Sequence, residues 1–264
     1  MTESLLRVMF VADVVGQPGC DVLYKLLPGL QAEHNVDFTI VNGENANNNG
    51  KGITLKIAKR FFAANVDAIT GGNHTWENWR NAELFAEEER VLRPANYPEG
   101  NIGRGYKIFD LGSGDKLAIL NLQGRTFLYP ILCPFRYADE VLKQISKETK
   151  NIIIDFHAEA TAEKIALGWY LDGRVSAIFG THTHVQTADE RVLPRGTAYI
   201  TDAGMTGSHD SVIGMKRDIA IQRFIYQTPR VFEVANKNLK LSAVIVDIDR
   251  NSGKAKKITR LQSS

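Results

Sequence analysis

Cysteine is scarce in this 264-residue chain: Cys20 and Cys133 are the two present, and they do not form a C-x-x-C pair. That is too few for a disulfide framework and the wrong spacing for a structural thiolate metal site, and it fits a reducing compartment. Nowhere do about 18 apolar residues run together, so no transmembrane helix is expected. The apolar stretch Val8 to Ala12 is short and meets Asp13 before any small-residue cleavage site, so no signal peptide is expected and the expected location is cytoplasmic. An excess of one charge is also missing: 32 Lys and Arg against 30 Asp and Glu leave +2, with the signs interspersed. This balance argues against a dedicated binder of duplex nucleic acid. Several catalytic signatures are absent too. Gly50-Lys51 is followed by Gly52 rather than Ser or Thr, so it is no P-loop, and there is no G-x-G-x-x-G after a strand and no G-x-S-x-G elbow.

What is present is an ordinary globular composition, 44% hydrophobic and 23% charged. A chain of this size buries roughly 73% of its unfolded surface, so a large core is available, and one domain over 1–264 is expected. Short β-branched apolar runs alternate with helical patterns, which predicts an α/β fold. The strands read as Arg7 to Ala12, Phe38 to Val41, Ala68 to Thr70, Leu117 to Leu122, Ile152 to Phe156, Ala177 to Phe179, Ala198 to Thr201 and Ala243 to Ile248. Helices read as Asp21 to Glu33, Leu55 to Ala64, Glu77 to Glu89, Tyr137 to Glu148, Thr161 to Leu171 and Asp218 to Tyr226. Asn45 to Gly52 reads as a solvated turn, and the basic cluster Lys254, Lys256, Lys257 and Arg260 as an exposed terminal strand.

The informative pattern lies where the strands stop. VMFVA runs into Asp13, FTIVNG into Glu44-Asn45, AITGG into Asn73-His74, NIIIDF into His157, and AIFGT into His182-Thr183-His184. Each fragment has a bland reading: Asp13 as a helix cap, Glu44 and Asn45 as loop residues, Gly71 to His74 as a turn, His157 as a half-buried histidine. His182-x-His184 is stronger, because side chains two apart on extended backbone share a face. In α/β sheets, chemistry gathers outside the carboxyl ends of strands, where these five segments can converge. Two carboxylates, one or two carboxamides and three imidazoles exceed one tetrahedral zinc site and suit two Mn, Fe or Zn ions sharing a carboxylate. His34 and His209 read as surface residues, although His209 lies in a polar stretch, Gly204 to Asp210, that suits a substrate loop.

In this order the motifs resemble the calcineurin-like metallophosphoesterase superfamily, whose pattern runs D-x-H, G-D, G-N-H, H and G-H-x-H. Within it the chain resembles the bacterial YmdB-like branch of 2',3'-cyclic nucleotide phosphodiesterases through FVADVVGQPG, VNGENA, GGNHTWEN, DFHAEATAEK, GTHTHVQTAD and TDAGMTG. Val15 stands where the superfamily has the His of D-x-H, Glu44-Asn45 follow Gly43 where it has G-D, and Thr181 precedes His182 where it has Gly. The resemblance implies a four-layer α/β/β/α sandwich of two mixed sheets. It implies a first metal on Asp13, Glu44, Asn45 and His184, a second on Glu44, Asn73, His157 and His182, and His74 free to approach substrate. Substrate contacts at Ser208, His209 and Asp210 are implied only loosely, and a homo-oligomer is implied by analogy.

The implied chemistry is hydrolysis of a 2',3'-cyclic nucleotide, with 3',5'-cyclic nucleotides as further candidates, by water activated between two divalent ions. His74 serves as general acid and a nucleoside 3'-monophosphate is the product. Two alternatives use the same residues: a phosphomonoesterase or 5'-nucleotidase, and a regulator that binds metal and nucleotide without turnover. The expected partner is a small nucleotide, not duplex nucleic acid or a membrane.

Overall fold

The computed structural model describes residues 5–77, 81–112 and 114–264. In chain order its elements are β1 (Leu5–Val11), β2 (Asp13–Val14), α1 (Gly16–His34), β3 (Phe38–Asn42), α2 (Leu55–Ala63), β4 (Ala68–Thr70), α3 (Asn81–Glu87), β5 (Val91–Leu92), β6 (Tyr106–Asp110) and β7 (Lys116–Gln123). They continue with α4 (Pro134–Ile145), β8 (Ile152–His157), α5 (Thr161–Tyr170), β9 (Ala177–Thr181), β10 (Arg191–Val192), β11 (Ala198–Ile200), β12 (Met205–Ser208), α6 (Arg217–Tyr226), β13 (Leu239–Asp249) and β14 (Ala255–Ser263).

Among the described residues the strands form two mixed sheets. One has eight strands in the order β2-β12-β13-β1-β3-β4-β5, with β14 paired to β13; the other has six, in the order β10-β11-β9-β8-β7-β6. Side-chain alternation explains the layering. Val8 and Phe10 of β1, Ile119 of β7, Ile153 of β8 and Phe179 of β9 meet in the core between the sheets. The intervening Met9 and Val11 face the opposite way and pack with Leu23 and Leu27 of α1 and Phe61 of α2. Leu120, Ile154 and Ile178 likewise pack with Val141 of α4 and Leu167 of α5. The result is the expected α/β/β/α order, because every central strand is apolar on both faces and needs a layer on each.

Differences from the sequence reading have local causes. α1 begins at Gly16 rather than near Asp21, because Gln17-Pro18-Gly19 is a first helical turn and not a loop. Gly19 is small of necessity: a Cβ there would lie 2.5 Å from the Thr206 carbonyl oxygen. α4 begins at Pro134, with proline in the first turn, where its missing N–H costs nothing. The helix expected from Glu77 to Glu89 is observed as Asn81–Glu87, and residues 78–80 lie outside the described residues. Strands β2, β5, β10 and β12 are two to four residues long and carry no periodic signal of their own. The basic cluster falls on β14, which pairs with β13, as the terminal-strand reading expects.

Candidate metal centre

Parallel pairing of β1 with β3, β3 with β4, β7 with β8 and β8 with β9 brings the carboxyl ends of these strands to one edge of the double sheet. Asp13, Glu44 and Asn45, Asn73 and His74, His157, and His182 with His184 succeed or end these strands, and the segments that were separate in sequence meet there.

Two clusters result. In the first, the Nε2 atom of His157 lies 2.8 Å from Asn73 Oδ1, 3.1 Å from Glu44 Oε1 and 3.1 Å from His182 Nδ1. One donor atom from each of Glu44, His157 and His182 falls within 4.8 Å of the others, the spread of ligands around a single ion. Burial alone pushes the Glu44 carboxyl up. The His157 imidazole and the His74 side chain and backbone outweigh it and hold Glu44 down to about 2. Burial lowers His157, but Glu44 raises it to about 9, so His157 carries a proton opposite the Glu44 carboxylate, and a cation can take that proton's place. His182 is driven down to about 3 by burial and by the charge of His157, and is therefore a neutral imidazole able to donate to a cation.

In the second cluster, His184 donates its Nδ1 proton to the Ile213 carbonyl at 3.0 Å, which leaves Nε2 as an acceptor 3.5 Å from Asp13 Oδ2. Burial lowers His184 and raises Asp13 well above the usual carboxylate range. Asp13 Oδ1 and Asn45 Oδ1 are both buried without a hydrogen-bond partner. Buried acceptors left unsatisfied are costly, and a bound cation is one partner that satisfies them. The chemistry of the donors suits a divalent cation at Glu44, His157 and His182, with Asn73 beside them, and Asp13, Asn45 and His184 are further side chains that could hold one. Mixed oxygen and imidazole donors of this kind suit Fe, Mn and Zn.

The backbone leaves room for these groups at one glycine. A Cβ on Gly72 would lie 2.3 Å from Glu44 Oε2 and 2.5 Å from His157 Nε2. His74 comes two residues later; its N–H donates to Glu44 Oε2 at 3.0 Å, and its ring Nδ1 lies 3.4 Å from Glu77 Oε1. His74 is thus fastened to the cluster by its backbone while its half-buried ring lines the cleft above it.

Behind the ligands stand residues that sequence reasoning passed over. Thr181 accepts from His157 Nδ1 at 3.0 Å and donates to Asp155 Oδ1 at 2.7 Å, while Asn42 and Thr70 donate to Asp155 Oδ2, so one buried carboxylate ties both sheets to the orientation of His157. Burial, only partly offset by these donors, raises Asp155 to about 6. The signal for it was there: an Asp two residues before His157 on the same strand shares its face. Lys164, which helical periodicity leaves looking like a surface residue, is fully buried and pairs with Asp202 at 2.8 Å; Asp202 also accepts from the Thr183 N–H.

That pair explains a correction. His182 and His184 do not share the face of an extended strand, as their spacing suggests, because their φ angles are +92° and +64°. The loop is bent by carboxylates drawing its amides inward, Asp13 on His182 N and Asp202 on Thr183 N, so the two imidazoles serve different clusters. Asn45 to Gly52 is likewise not merely a solvated turn: Asn45, Asn49, Gly50 and Lys51 line the cleft. Ser208 and His209 are not brought into it. Ser208 is buried on β12 and donates to the Lys237 carbonyl, and His209 faces a separate groove on the far side of His184; Asp210 accepts from Asn238 at the surface. No helix among the described residues is long and apolar enough to cross a membrane.

A family model described as YmdB-like protein matches residues 9–261. The chain is 50% identical over 256 residues, 97% of its length and 96% of the relative's, to a Bacillus subtilis (strain 168) protein named 2',3'-cyclic-nucleotide 2'-phosphodiesterase. Its fold superimposes on a solved Mycoplasma pneumoniae structure described as a novel phosphatase with TM-score 0.93 and 34% identity, covering 99% of this chain and 94% of that one. A "hypothetical protein" from Thermus thermophilus matches with TM-score 0.91 and 37% identity, covering 98% and 99%. Similarity along almost the whole chain, with the candidate metal-ligand side chains gathered at one sheet edge, makes this protein a member of the YmdB-like family.

Proposed function

We propose that this protein is a metal-dependent phosphoric diester hydrolase that opens 2',3'-cyclic nucleotides to nucleoside 3'-monophosphates, the whole chain acting as one metallophosphoesterase domain. The observation that carries the reading is the convergence of Asp13, Glu44, Asn45, Asn73, His157, His182 and His184 beside His74, with two buried acceptors left open. Kinship with a named cyclic-nucleotide phosphodiesterase supplies the substrate class. Held there, divalent ions, iron or manganese first and zinc as the remaining candidate, would supply positive charge for the phosphate oxygens and a lowered pKa for water.

The residues divide the remaining work. Asp13, Asn45 and His184 would hold one ion and Asn73, His157 and His182 the other, with Glu44 in reach of both groups. Gly72 lets the backbone pass close enough for Glu44 and His157 to meet. His74 presents its ring to the cleft and delivers a proton to the departing ribose oxygen, a role worth about 10²- to 10⁴-fold in rate. Glu77 and the backbone contact to Glu44 fix where that proton is offered. One placed acid means one ribose oxygen is released, so a single regioisomer should dominate. The free thiols Cys20 and Cys133 suit work in the cytoplasm.

The test is product analysis of 2',3'-cyclic AMP hydrolysis by chromatography, beside 3',5'-cyclic AMP and 5'-AMP, with metal-loaded protein. The 3'-monophosphate should dominate. Equal amounts of 2'- and 3'-monophosphate refute the single-acid geometry. The phosphatase description of the Mycoplasma pneumoniae neighbour favours a second reading, a phosphomonoesterase. Faster turnover of 5'-AMP than of either cyclic diester would establish it.

A further inference from the structure

The cleft has two unlike halves. Its floor is Glu44, Asn45, His182 and His184 with His74 beside them, and its outer wall is apolar, built by Ile213, Met215, Phe224 and Phe232 from the segment around α6, with Arg223 among them. Its volume is about 370 Å³, at the small end of ligand pockets, with room for a mononucleotide and none for a duplex. Phe224 is 71% exposed and Ile213 51% exposed, so the wall offers bare hydrocarbon to the cleft mouth. Ile213 adopts φ +48°, a conformation that β-branched residues rarely take, and it is the same residue whose carbonyl accepts from His184. Strain of this kind is kept where the surroundings need the residue placed, here joining the apolar wall to a histidine of the ligand set. The Arg223 guanidinium lies 4.8 Å from the Phe232 ring centre and has no ion-pair partner among the described residues. Across the cleft, Gly50 at φ +75° lets the backbone approach, since a Cβ there would lie 2.6 Å from Met215 Cε.

We propose that this wall is a nucleobase subsite: a base stacks on Phe224 and on the Arg223–Phe232 platform while its ribose phosphate reaches the ligand floor. Aromatic faces and guanidinium planes are the surfaces on which unpaired bases stack, and they do so with little regard to base identity. The wall therefore selects nucleotides over base-free phosphodiesters and discriminates weakly among bases. This inference rests on the nucleotide-hydrolase reading for the placement of the phosphate, but the stacking surface can be measured without turnover.

Binding is read first. Adenosine, which has no phosphate, is titrated into wild-type protein and into Phe224→Ala and Phe224→Tyr, with saturation-transfer NMR and calorimetry as readouts. Phe224 is exposed, so its truncation removes no core packing, and circular dichroism with metal analysis checks the fold. Phe224→Ala should weaken adenosine binding about tenfold, the size of one lost stacking contact, and Phe224→Tyr should restore it. No adenosine binding by the wild type, or equal affinity in Phe224→Ala, overturns the subsite. A changed sedimentation coefficient in Phe224→Ala with unchanged adenosine affinity also overturns it, by showing that a second copy of the chain covers the wall. Turnover is read second, as the ratio of kcat/KM for 2',3'-cyclic AMP to that for methyl ribofuranoside 2,3-cyclic phosphate. A wild-type ratio above about tenfold that collapses toward one in Phe224→Ala supports the subsite, and a wild-type ratio of one overturns it. Stacking of adenosine on the wall without hydrolysis of any cyclic phosphate would sink the proposed function and leave the subsite standing.

Discussion

Replacing Gly72 by alanine should disable the metal centre without removing a ligand. The backbone of Gly72 is not in the left-handed region, so alanine meets no conformational penalty there and the whole effect is steric. The added methyl would sit 2.3 Å from Glu44 Oε2 and 2.5 Å from both Cδ2 and Nε2 of His157. Ordinary carbon contacts begin at about 3.5 Å, so the two side chains must retreat by about 1 Å. Neither moves freely. Glu44 is held by the His74 N–H and by His157, and His157 is held from behind by Thr181 at 3.0 Å. A displacement of about 1 Å in a catalytic constellation can cost about 10²-fold in rate, while overpacking one methyl costs about 1 to 3 kcal/mol of stability. Gly72→Ala should therefore fold, lose at least one metal ion by elemental analysis, and lose about 10²-fold or more in kcat/KM for 2',3'-cyclic AMP. Gly207→Ala is the internal control, because its Cβ would meet nothing nearer than 3.4 Å, and it should stay close to wild type. Full metal content and wild-type activity in Gly72→Ala would refute the packing argument and the placement of Glu44 and His157 around a shared ion.

The same geometry sets other outcomes. His74→Ala should lower kcat by about 10² or more and keep its metal, whereas His157→Ala should lose an ion; metal loss in both would make His74 a ligand. The ion on Asp13, Asn45 and His184 should leave first in a chelator titration, because Val15 stands where the superfamily has an imidazole and an amide oxygen is the weaker donor; simultaneous loss of both ions would count against this asymmetry. Lys164→Met leaves Asp202 buried without its cation and should cost about 3 to 5 kcal/mol in denaturant unfolding, while adding Asp202→Asn should recover part of the loss. If the single and double variants unfold alike, the buried pair is not what holds the His182 to His184 loop.

Much of the site was legible in the chain because parallel strands end at one edge and chemistry collects there. An apolar run that stops at Asp13, Glu44, Asn73 or His157 marks both the strand and the polar group at its end. Met9 and Val11 on one face of β1 and Val8 and Phe10 on the other are all apolar, so the strand needs cover on both faces; that helices take one face and a second sheet the other was decided by packing. What local pattern could not contain was anything decided by partners distant in sequence. Lys164 looks like a surface residue until Asp202, 38 positions later, buries it, and the left-handed turns at His182 and His184 exist because Asp13 and Asp202 pull on amides of that loop. The loop from Asn45 to Gly52 and the wall from Ile213 to Phe232 face each other across one cleft, yet neither carries a periodic signal that names the other. Periodicity and side-chain type are properties of neighbours along the chain, so the sequence alone determined the α/β alternation and the polar groups at the strand ends. Burial, hydrogen-bond partners and the far wall depend on which segments meet in space, and those only the tertiary structure decided.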